Sequence, residues 1–71
     1  MRKYLIVVER TDSGYFSYSP DLPGSVSAGK SHEEAERNMR EAIEFHVEGL
    51  RQEDYPVPEP QETSSYLELP A

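Results

Sequence analysis

The stretch that decides the fold is Tyr18-Ser19-Pro20-Asp21-Leu22-Pro23-Gly24. Pro20 cannot donate a hydrogen bond to a sheet, so a strand that precedes it must end there. Pro23-Gly24 is a strong turn signal, because proline fixes φ and glycine tolerates the backbone that follows. A short strand pattern over 25–28 and a helix start at Ser31 come next. These features predict a sharp turn that leads from a sheet, through a short third strand, to a helix.

Two strands are predicted upstream of this turn. Tyr4 to Val8 is apolar and partly β-branched, a pattern typical of a central strand with both faces at least partly covered. Asp12-Ser13-Gly14 supplies a hairpin turn. Tyr15 to Ser19 then alternates, with Phe16 and Tyr18 on one face, as in a strand with one buried face.

A single amphipathic helix is predicted to follow. Ser31 is a good N-cap, and Glu34 three residues later completes a capping box. Apolar positions then recur at the spacing of one helical face. They are Ala35, Met39, Ala42, Ile43, His46 and Leu50. The helix is predicted to end near Gln52.

Residues 53–65 form a proline-rich connector. A residue that precedes a proline avoids the helical region, so the run Tyr55-Pro56-Val57-Pro58-Glu59-Pro60 is predicted to be an extended, stiff linker. Tyr66 to Leu69 is compatible with a short last strand. Because 71 residues support only one small core, residues 1–71 are predicted to form a single domain.

The charge balance excludes several classes of function. Fourteen acidic and seven basic residues give a net charge of −7, and there is no cysteine. A protein that binds nucleic acid by itself is expected to show a basic stripe, whereas these basic residues are scattered. The acidity suits a surface that meets a basic partner, or it only keeps the domain soluble. The lack of cysteine, signal peptide and long apolar run predicts a cytoplasmic protein without membrane contact.

The sequence contains no recognised catalytic or metal-binding pattern. His32 and His46 are fourteen residues apart, which is about 21 Å along a helix, so they form neither a dyad nor a shared metal site. His46 falls in the apolar stripe, where packing in a core or a subunit contact is favoured over catalysis. His32 and Glu36 offer two metal ligands, but a third is missing. We therefore predict no enzymatic activity, no cofactor and no metal.

Candidate contact residues follow from expected exposure and from chemistry. Acidic side chains at turns and on the outer helix face are candidates for partner binding. They are Asp12, Asp21, Glu41, Glu44 and Glu48. For Asp21, a bond to nearby turn backbone is an equal alternative. A domain of this size often gains stability by self-association, so we expect a homo-oligomer, most simply a dimer. Three residues are candidates either for the contact between copies or for the core. They are Tyr15, Phe45 and His46.

The order of these motifs resembles the HicB-like antitoxin family of bacterial toxin–antitoxin systems. The resemblance extends over nearly the whole chain. Its matching segments are Tyr4–Val8, Gly14–Phe16, Pro20–Gly24, Ser27–Ser31, Glu33–Ala35 and Tyr55–Pro60. It implies an α+β domain of order β-β-β-α-β, a partial RNase H-like fold. The small, mainly antiparallel sheet would have the order 3-2-1-4, with the helix packed on one face.

The resemblance also implies a function. Family members bind a small basic HicA toxin, an RNA-cleaving protein, and cover its active site. Many members carry a C-terminal DNA-binding segment, and no such pattern is present up to Ala71, so no C-terminal DNA-binding domain and no direct nucleic-acid binding are expected. Two other hypotheses stay open. One is an orphan homo-oligomeric scaffold without a toxin partner, and the other is a small hydrolase that uses His46 with a neighbouring carboxylate.

Overall fold

Three strands and one helix form in the order β-β-β-α. The computed structural model describes residues 2–70. The elements are β1 (Val7–Thr11), β2 (Gly14–Tyr18), β3 (Val26–Gly29) and α1 (His32–Gln52). The strands form one antiparallel sheet in the order β1-β2-β3, and α1 packs across one of its faces. The predicted α+β class, a small antiparallel sheet with a single helix, is confirmed.

The central strand of this sheet is β2 and not the first strand. The sequence predicts a central strand over Tyr4–Val8, whereas β1 begins later and lies at an edge. The later start follows from the hairpin register, because Val7 pairs with Tyr18, the last residue of β2, and residues 4–6 have no strand residue opposite them. Tyr4 and Ile6 precede the strand, and their partly buried side chains pack against the core instead.

The last strand expected over Tyr66–Leu69 is not formed in the structure. No residue of 55–70 belongs to a strand or helix, and Tyr66, Leu67 and Leu69 are 102%, 82% and 76% exposed. Ordering a short segment costs about 1–2 kcal/mol per residue, and these exposed side chains bury no surface that would offset the cost. Among the described residues, the sheet therefore has three strands, and residues 64–66 border the same cleft as residues 5–8 without pairing with β1.

The face of β2 that meets the helix carries a small side chain at its centre. Ser17 is completely buried, and its hydroxyl donates to the carbonyl oxygen of Ala35 in α1 at 3.0 Å. A Cβ atom at Gly29 would lie 2.5 Å from the amide nitrogen of Ala35. Phe16 and Tyr18 lie on the opposite, open face, with their ring centroids 6.0 Å apart. The buried face of this alternating strand is therefore the face of Ser17, and at Ser17 the close approach of α1 leaves room only for a small side chain.

The turn at 20–24 supplies the centre of the core. Leu22 is completely buried and packs in one cluster with Met39 and Ile43 of α1. Partly buried side chains from the first residues of the chain and from the helix surround this cluster. A loop residue thus occupies the position between the sheet and the helix that is usually filled from a strand.

Local hydrogen bonds hold the turn in this conformation. The amide of Leu22 donates to the carbonyl oxygen of Ser19 at 3.1 Å, and the amide of Ser25 donates to that of Leu22 at 3.0 Å. Gly24 has a φ of 89°, a backbone region that glycine enters without the steric penalty of a Cβ atom. The backbone conformation therefore depends on glycine at this position.

The start of α1 is fastened to the edge of β3. The Ser31 hydroxyl accepts a hydrogen bond from the Glu34 amide at 3.1 Å, and the Glu34 carboxylate accepts one from the Lys30 amide at 2.8 Å. One turn further on, the side-chain amide of Asn38 donates to the carbonyl oxygen of Ala28 at 2.8 Å. These contacts fix the direction of the helix relative to the sheet.

Candidate protein-binding surfaces

An acidic segment lies on the solvent side of α1. We give this name to Glu41, Glu44 and Glu48, which are all exposed. No lysine or arginine occurs within 41–50, and within the described part of the chain none of the three carboxylates belongs to an ion pair. The acidic segment therefore presents three exposed carboxylates on one helix, flanked along the chain by Arg40 and Arg51.

Asp12 lies apart from the acidic segment. It is exposed at the tip of the β1–β2 hairpin, and its neighbour Ser13 borders the same cleft as Glu34 in the first turn of α1. Glu44 is ten residues further along the helix than Glu34, a distance of about 15 Å at the usual rise per residue. The structure therefore does not bring Asp12 together with the acidic segment.

The carboxylate of Asp21 holds the connector. Its Oδ1 accepts hydrogen bonds from the backbone amides of Gln61 and Glu62, at 2.9 and 3.2 Å. Its Oδ2 is buried and has no hydrogen-bond partner among the described residues. Sequence reasoning weighed a partner contact against a bond to nearby turn backbone. The observed bonds reach backbone that is 40 and 41 residues away.

Two further contacts fasten the connector to the start of the chain. The Tyr4 hydroxyl donates to the carbonyl oxygen of Pro58 at 2.6 Å, and the Arg2 guanidinium lies 2.9 Å from the Glu59 carboxylate. Sequence reasoning missed both, because the partners are 54 and 57 residues apart. The one available signal was Tyr4, whose hydroxyl needs a hydrogen-bond partner although the residues that follow it, 5–8, are aliphatic.

Tyr15 packs at the start of α1. Its half-buried ring meets the imidazole of His32 edge-on, with centroids 6.3 Å apart and planes at 75°. The Nδ1 atom of His32 lies 3.8 Å from the Glu36 carboxylate. In residues 2–70 no three His, Cys, Asp or Glu side chains are grouped so that they could hold a metal ion.

Phe45 and His46 border an apolar groove beside the second half of α1. Phe45 is 83% exposed, and His46 is half-buried. The groove has a volume of about 510 Å³, and we call it the Phe45 groove. Its lining includes Val26, Ala42, Phe45, Gly49, Leu50 and Tyr55. Sequence reasoning missed Val26 and Tyr55, because they reach the groove only through the packing of β3 and of the residues after α1.

The fold and its surfaces define a class of protein. One helix that covers an antiparallel sheet is a small α+β domain. Its acidic segment and its Phe45 groove are both suited to contact with other macromolecules. Within residues 2–70, no helix is both long and apolar enough to cross a membrane. The class is therefore a small α+β domain with one acidic and one apolar exposed surface.

The chain belongs to the HicB-like antitoxin family. The sequence model of that family, a HicB-like antitoxin of bacterial toxin–antitoxin systems, matches residues 4–71. The resemblance found in the sequence motifs is therefore confirmed. Membership supports a role as an antitoxin in a toxin–antitoxin system.

Similar proteins occur in a phage and in bacteria. The chain is 39% identical over 67 residues to an uncharacterized 14.9 kDa protein of the rep-hol intergenic region of Haemophilus phage HP1, a match that covers 94% of this chain and 50% of the phage protein. It is 48% identical over 48 residues to a UPF0150 protein of Helicobacter pylori, covering 68% of this chain and 67% of that protein. It is 43% identical over 56 residues to a UPF0150 protein of Synechocystis, covering 78% of this chain and 71% of that protein. The chain thus spans about half the length of the phage relative. No solved structure matches it.

Proposed function

We propose that this protein is the antitoxin of a cytoplasmic toxin–antitoxin pair and neutralises a small basic HicA-like toxin by covering its RNA-cleaving site. The observation that carries the proposal is the acidic segment, three unpaired carboxylates in a chain of net charge −7. Family membership supplies the expectation of a toxin partner. A protein that cleaves RNA attracts phosphates with positive charge. An acidic surface competes for the same charge and blocks access to it.

The acidic segment is pre-organised for such a contact. Its residues extend from a helix whose opposite side is anchored in the core by Met39 and Ile43. The helix backbone is already ordered before a partner binds, so the entropic cost of the contact is limited to the glutamate side chains. The helix therefore offers the toxin a row of carboxylates on one ordered backbone.

The other two acidic candidates have different roles in this proposal. Asp12, at the exposed hairpin tip, lies apart from the acidic segment and has no part in the main contact. Asp21 acts as a positioning residue, since its carboxylate already accepts two backbone hydrogen bonds from the connector. The acidic segment therefore makes the main electrostatic contact.

A charge-reversal pair tests the assignment. Glu44→Lys is expected to weaken toxin binding by about tenfold or more, mainly through slower association, and the loss should shrink at high salt. Glu68→Lys is the matched control, because it changes the net charge equally at an exposed position of the tail. Rates of association with the toxin, measured at low and at high salt, distinguish the Glu44→Lys variant from the Glu68→Lys control. Equal effects of both variants would show that net charge alone matters and that the acidic segment is not the contact.

A homo-oligomeric scaffold without a toxin partner is the second candidate function. The exposed ring of Phe45 favours it, because exposed aromatic side chains in a domain of marginal size promote self-association. Co-expression with a HicA-like toxin separates the two functions. Relief of growth arrest supports the antitoxin, whereas unchanged arrest together with a stable oligomer supports the scaffold. The hydrolase hypothesis depends on His46 acting with a neighbouring carboxylate. Among the described residues, no ion pair joins His46 to a carboxylate.

A further inference from the structure

A second groove lies on the other flank of α1 from the Phe45 groove. It runs between the helix and the first residues of the chain, and it shares no lining residue with the Phe45 groove. We call it the Tyr4 groove, and its described lining residues are Tyr4, Ile43, Glu44, Val47, Glu48 and Arg51. Its volume is about 340 Å³, near the lower limit of about 300 Å³ for small-molecule pockets. A groove of this size fits one long side chain and not a whole helix.

The floor of the Tyr4 groove is apolar and held in place. Ile43 belongs to the buried core, and the half-buried side chains of Tyr4 and Val47 pack against that core. The Tyr4 hydroxyl donates to the carbonyl oxygen of Pro58 at 2.6 Å, so the polar end of the ring is already satisfied within the chain. The ring therefore offers a ligand its apolar surface.

Charged side chains form the rim of the Tyr4 groove. Glu44 and Glu48 are exposed and lie one helical turn apart, which puts their Cβ atoms about 5–6 Å from each other. Arg51 also lines the groove, and within residues 2–70 it forms no ion pair with either carboxylate. The rim thus carries two negative charges and one positive charge, in a chain of net charge −7. This balance favours a cationic ligand.

An apolar floor below an acidic rim matches the chemistry of an arginine side chain. The aliphatic stem of arginine packs along apolar surface while its charged head stays near water. The planar guanidinium stacks on aromatic rings and donates two parallel hydrogen bonds to a carboxylate. A lysine ammonium is a compact point charge that makes no such paired contact. The Tyr4 groove is therefore better suited to arginine than to lysine.

We propose that the Tyr4 groove binds one arginine side chain of the basic toxin, with its stem on Tyr4 and Val47 and its guanidinium on the carboxylates of Glu44 and Glu48. This inference rests on the proposed function, because the toxin supplies the arginine. Glu41 is not among the described lining residues, so it contributes only long-range attraction. Because the two grooves lie on different flanks of α1, the Tyr4 groove stays accessible when the Phe45 groove is covered.

Dissociation of the toxin complex tests the floor of the Tyr4 groove. Val47→Thr replaces one methyl group with a hydroxyl and changes no charge. The complex should dissociate about fivefold faster, whereas its association rate should not change because electrostatic steering is untouched. Val57→Thr is the matched control, since Val57 is also half-buried but lies in the connector, outside the described lining. It should leave both rates unchanged.

A pair of neutral variants tests the rim. Glu48→Gln and Glu41→Gln remove the same charge from exposed positions of one helix, and a neutral amide disturbs the long-range field less than a lysine does. Glu48→Gln should speed dissociation by about tenfold, because the guanidinium loses a charged acceptor. Glu41→Gln should leave the dissociation rate unchanged. If both pairs of variants behave alike while the toxin still binds, the arginine site is wrong and the proposed function stands.

A short peptide separates failure of the groove from failure of the proposed function. The probe is the capped tripeptide alanine-arginine-alanine, titrated to millimolar concentration into the isotope-labelled full chain and followed by NMR. It should shift the methyl signals of Val47 and the ring signals of Tyr4, the lysine analogue should shift them less, and the glutamine analogue should not shift them. Equal shifts with arginine and glutamine would overturn the arginine site. Shifts with arginine alone, in a chain that binds no toxin, would retain the site and reject the toxin as the source of the arginine.

Discussion

The turn at 20–24 and the tail at 63–70 are both irregular, yet they differ completely in how they are held. Leu22 of the turn is completely buried between sheet and helix, and two local backbone hydrogen bonds keep it there. The tail has two leucines of its own, Leu67 and Leu69, and both are largely exposed. An apolar side chain thus orders an irregular segment only where the rest of the fold offers it a place in the core.

The connector shows an intermediate case. It has no regular structure, but Asp21 holds its amides at 61 and 62, and the Tyr4 hydroxyl holds its carbonyl at 58. Polar contacts to single backbone groups each contribute only about 0.5–1.5 kcal/mol, less than the burial of a leucine. We therefore expect stability effects to decrease from the turn to the connector to the tail.

The largest effect is expected for Leu22→Ala. Removing a fully buried leucine leaves a cavity beside Met39 and Ile43, and the free energy of unfolding should fall by about 2–5 kcal/mol. For a domain of this size that loss is comparable to the total stability. Chemical denaturation followed by circular dichroism measures it. Leu67→Ala in the tail is the control and should change the free energy of unfolding by less than about 0.5 kcal/mol.

A smaller effect is expected for Asp21→Ala. The variant removes the acceptor for two connector amides, so the free energy of unfolding should fall by about 1 kcal/mol. Amide hydrogen exchange should accelerate selectively at Gln61 and Glu62. Asp12→Ala removes a carboxylate at the exposed hairpin tip and should change neither quantity. Unchanged exchange in Asp21→Ala would show that the carboxylate does not hold the connector.

The smallest effect is expected for truncation after Ser65. The removed side chains are exposed, so the free energy of unfolding should stay within about 0.5 kcal/mol of the full chain. Truncation after Glu59 is the comparison, because it also removes the amides held by Asp21. A loss of more than about 1 kcal/mol on truncation after Ser65 would mean that the tail packs on the domain, as the expected last strand on β1 would.

Much of the fold was predictable because its signals are local. Pro20 ends β2, Gly24 accommodates the turn, and Ser31 caps α1, since each acts through backbone atoms a few residues away. The start of α1 was predictable from its N-cap, and its length was predictable from the regular spacing of its apolar residues. Family membership was also visible in the motifs, because the turn and the helix start occur together at the right spacing.

The candidate surfaces were only partly predictable. The helical period puts Glu41, Glu44 and Glu48 on the side of α1 that faces away from the core. The exposed position of the acidic segment was therefore predictable from the sequence. Phe45 was singled out as an oligomer or core contact, but the groove beside it was not. Its other walls come from β3 and from the residues after α1, and no periodicity relates those segments to the helix.

The sequence by itself determined the order of elements, the turn, the helix cap and the acidic side of the helix, because these depend on backbone preferences and on a regular period. Only the tertiary structure decided that the face of Ser17 in β2 is buried, that β1 lies at an edge and that Asp21 reaches the connector. The physical reason is distance along the chain. The close approach of α1 over Gly29 and Ser17 leaves room only for a small side chain at Ser17, and such a contact depends on how separate elements pack.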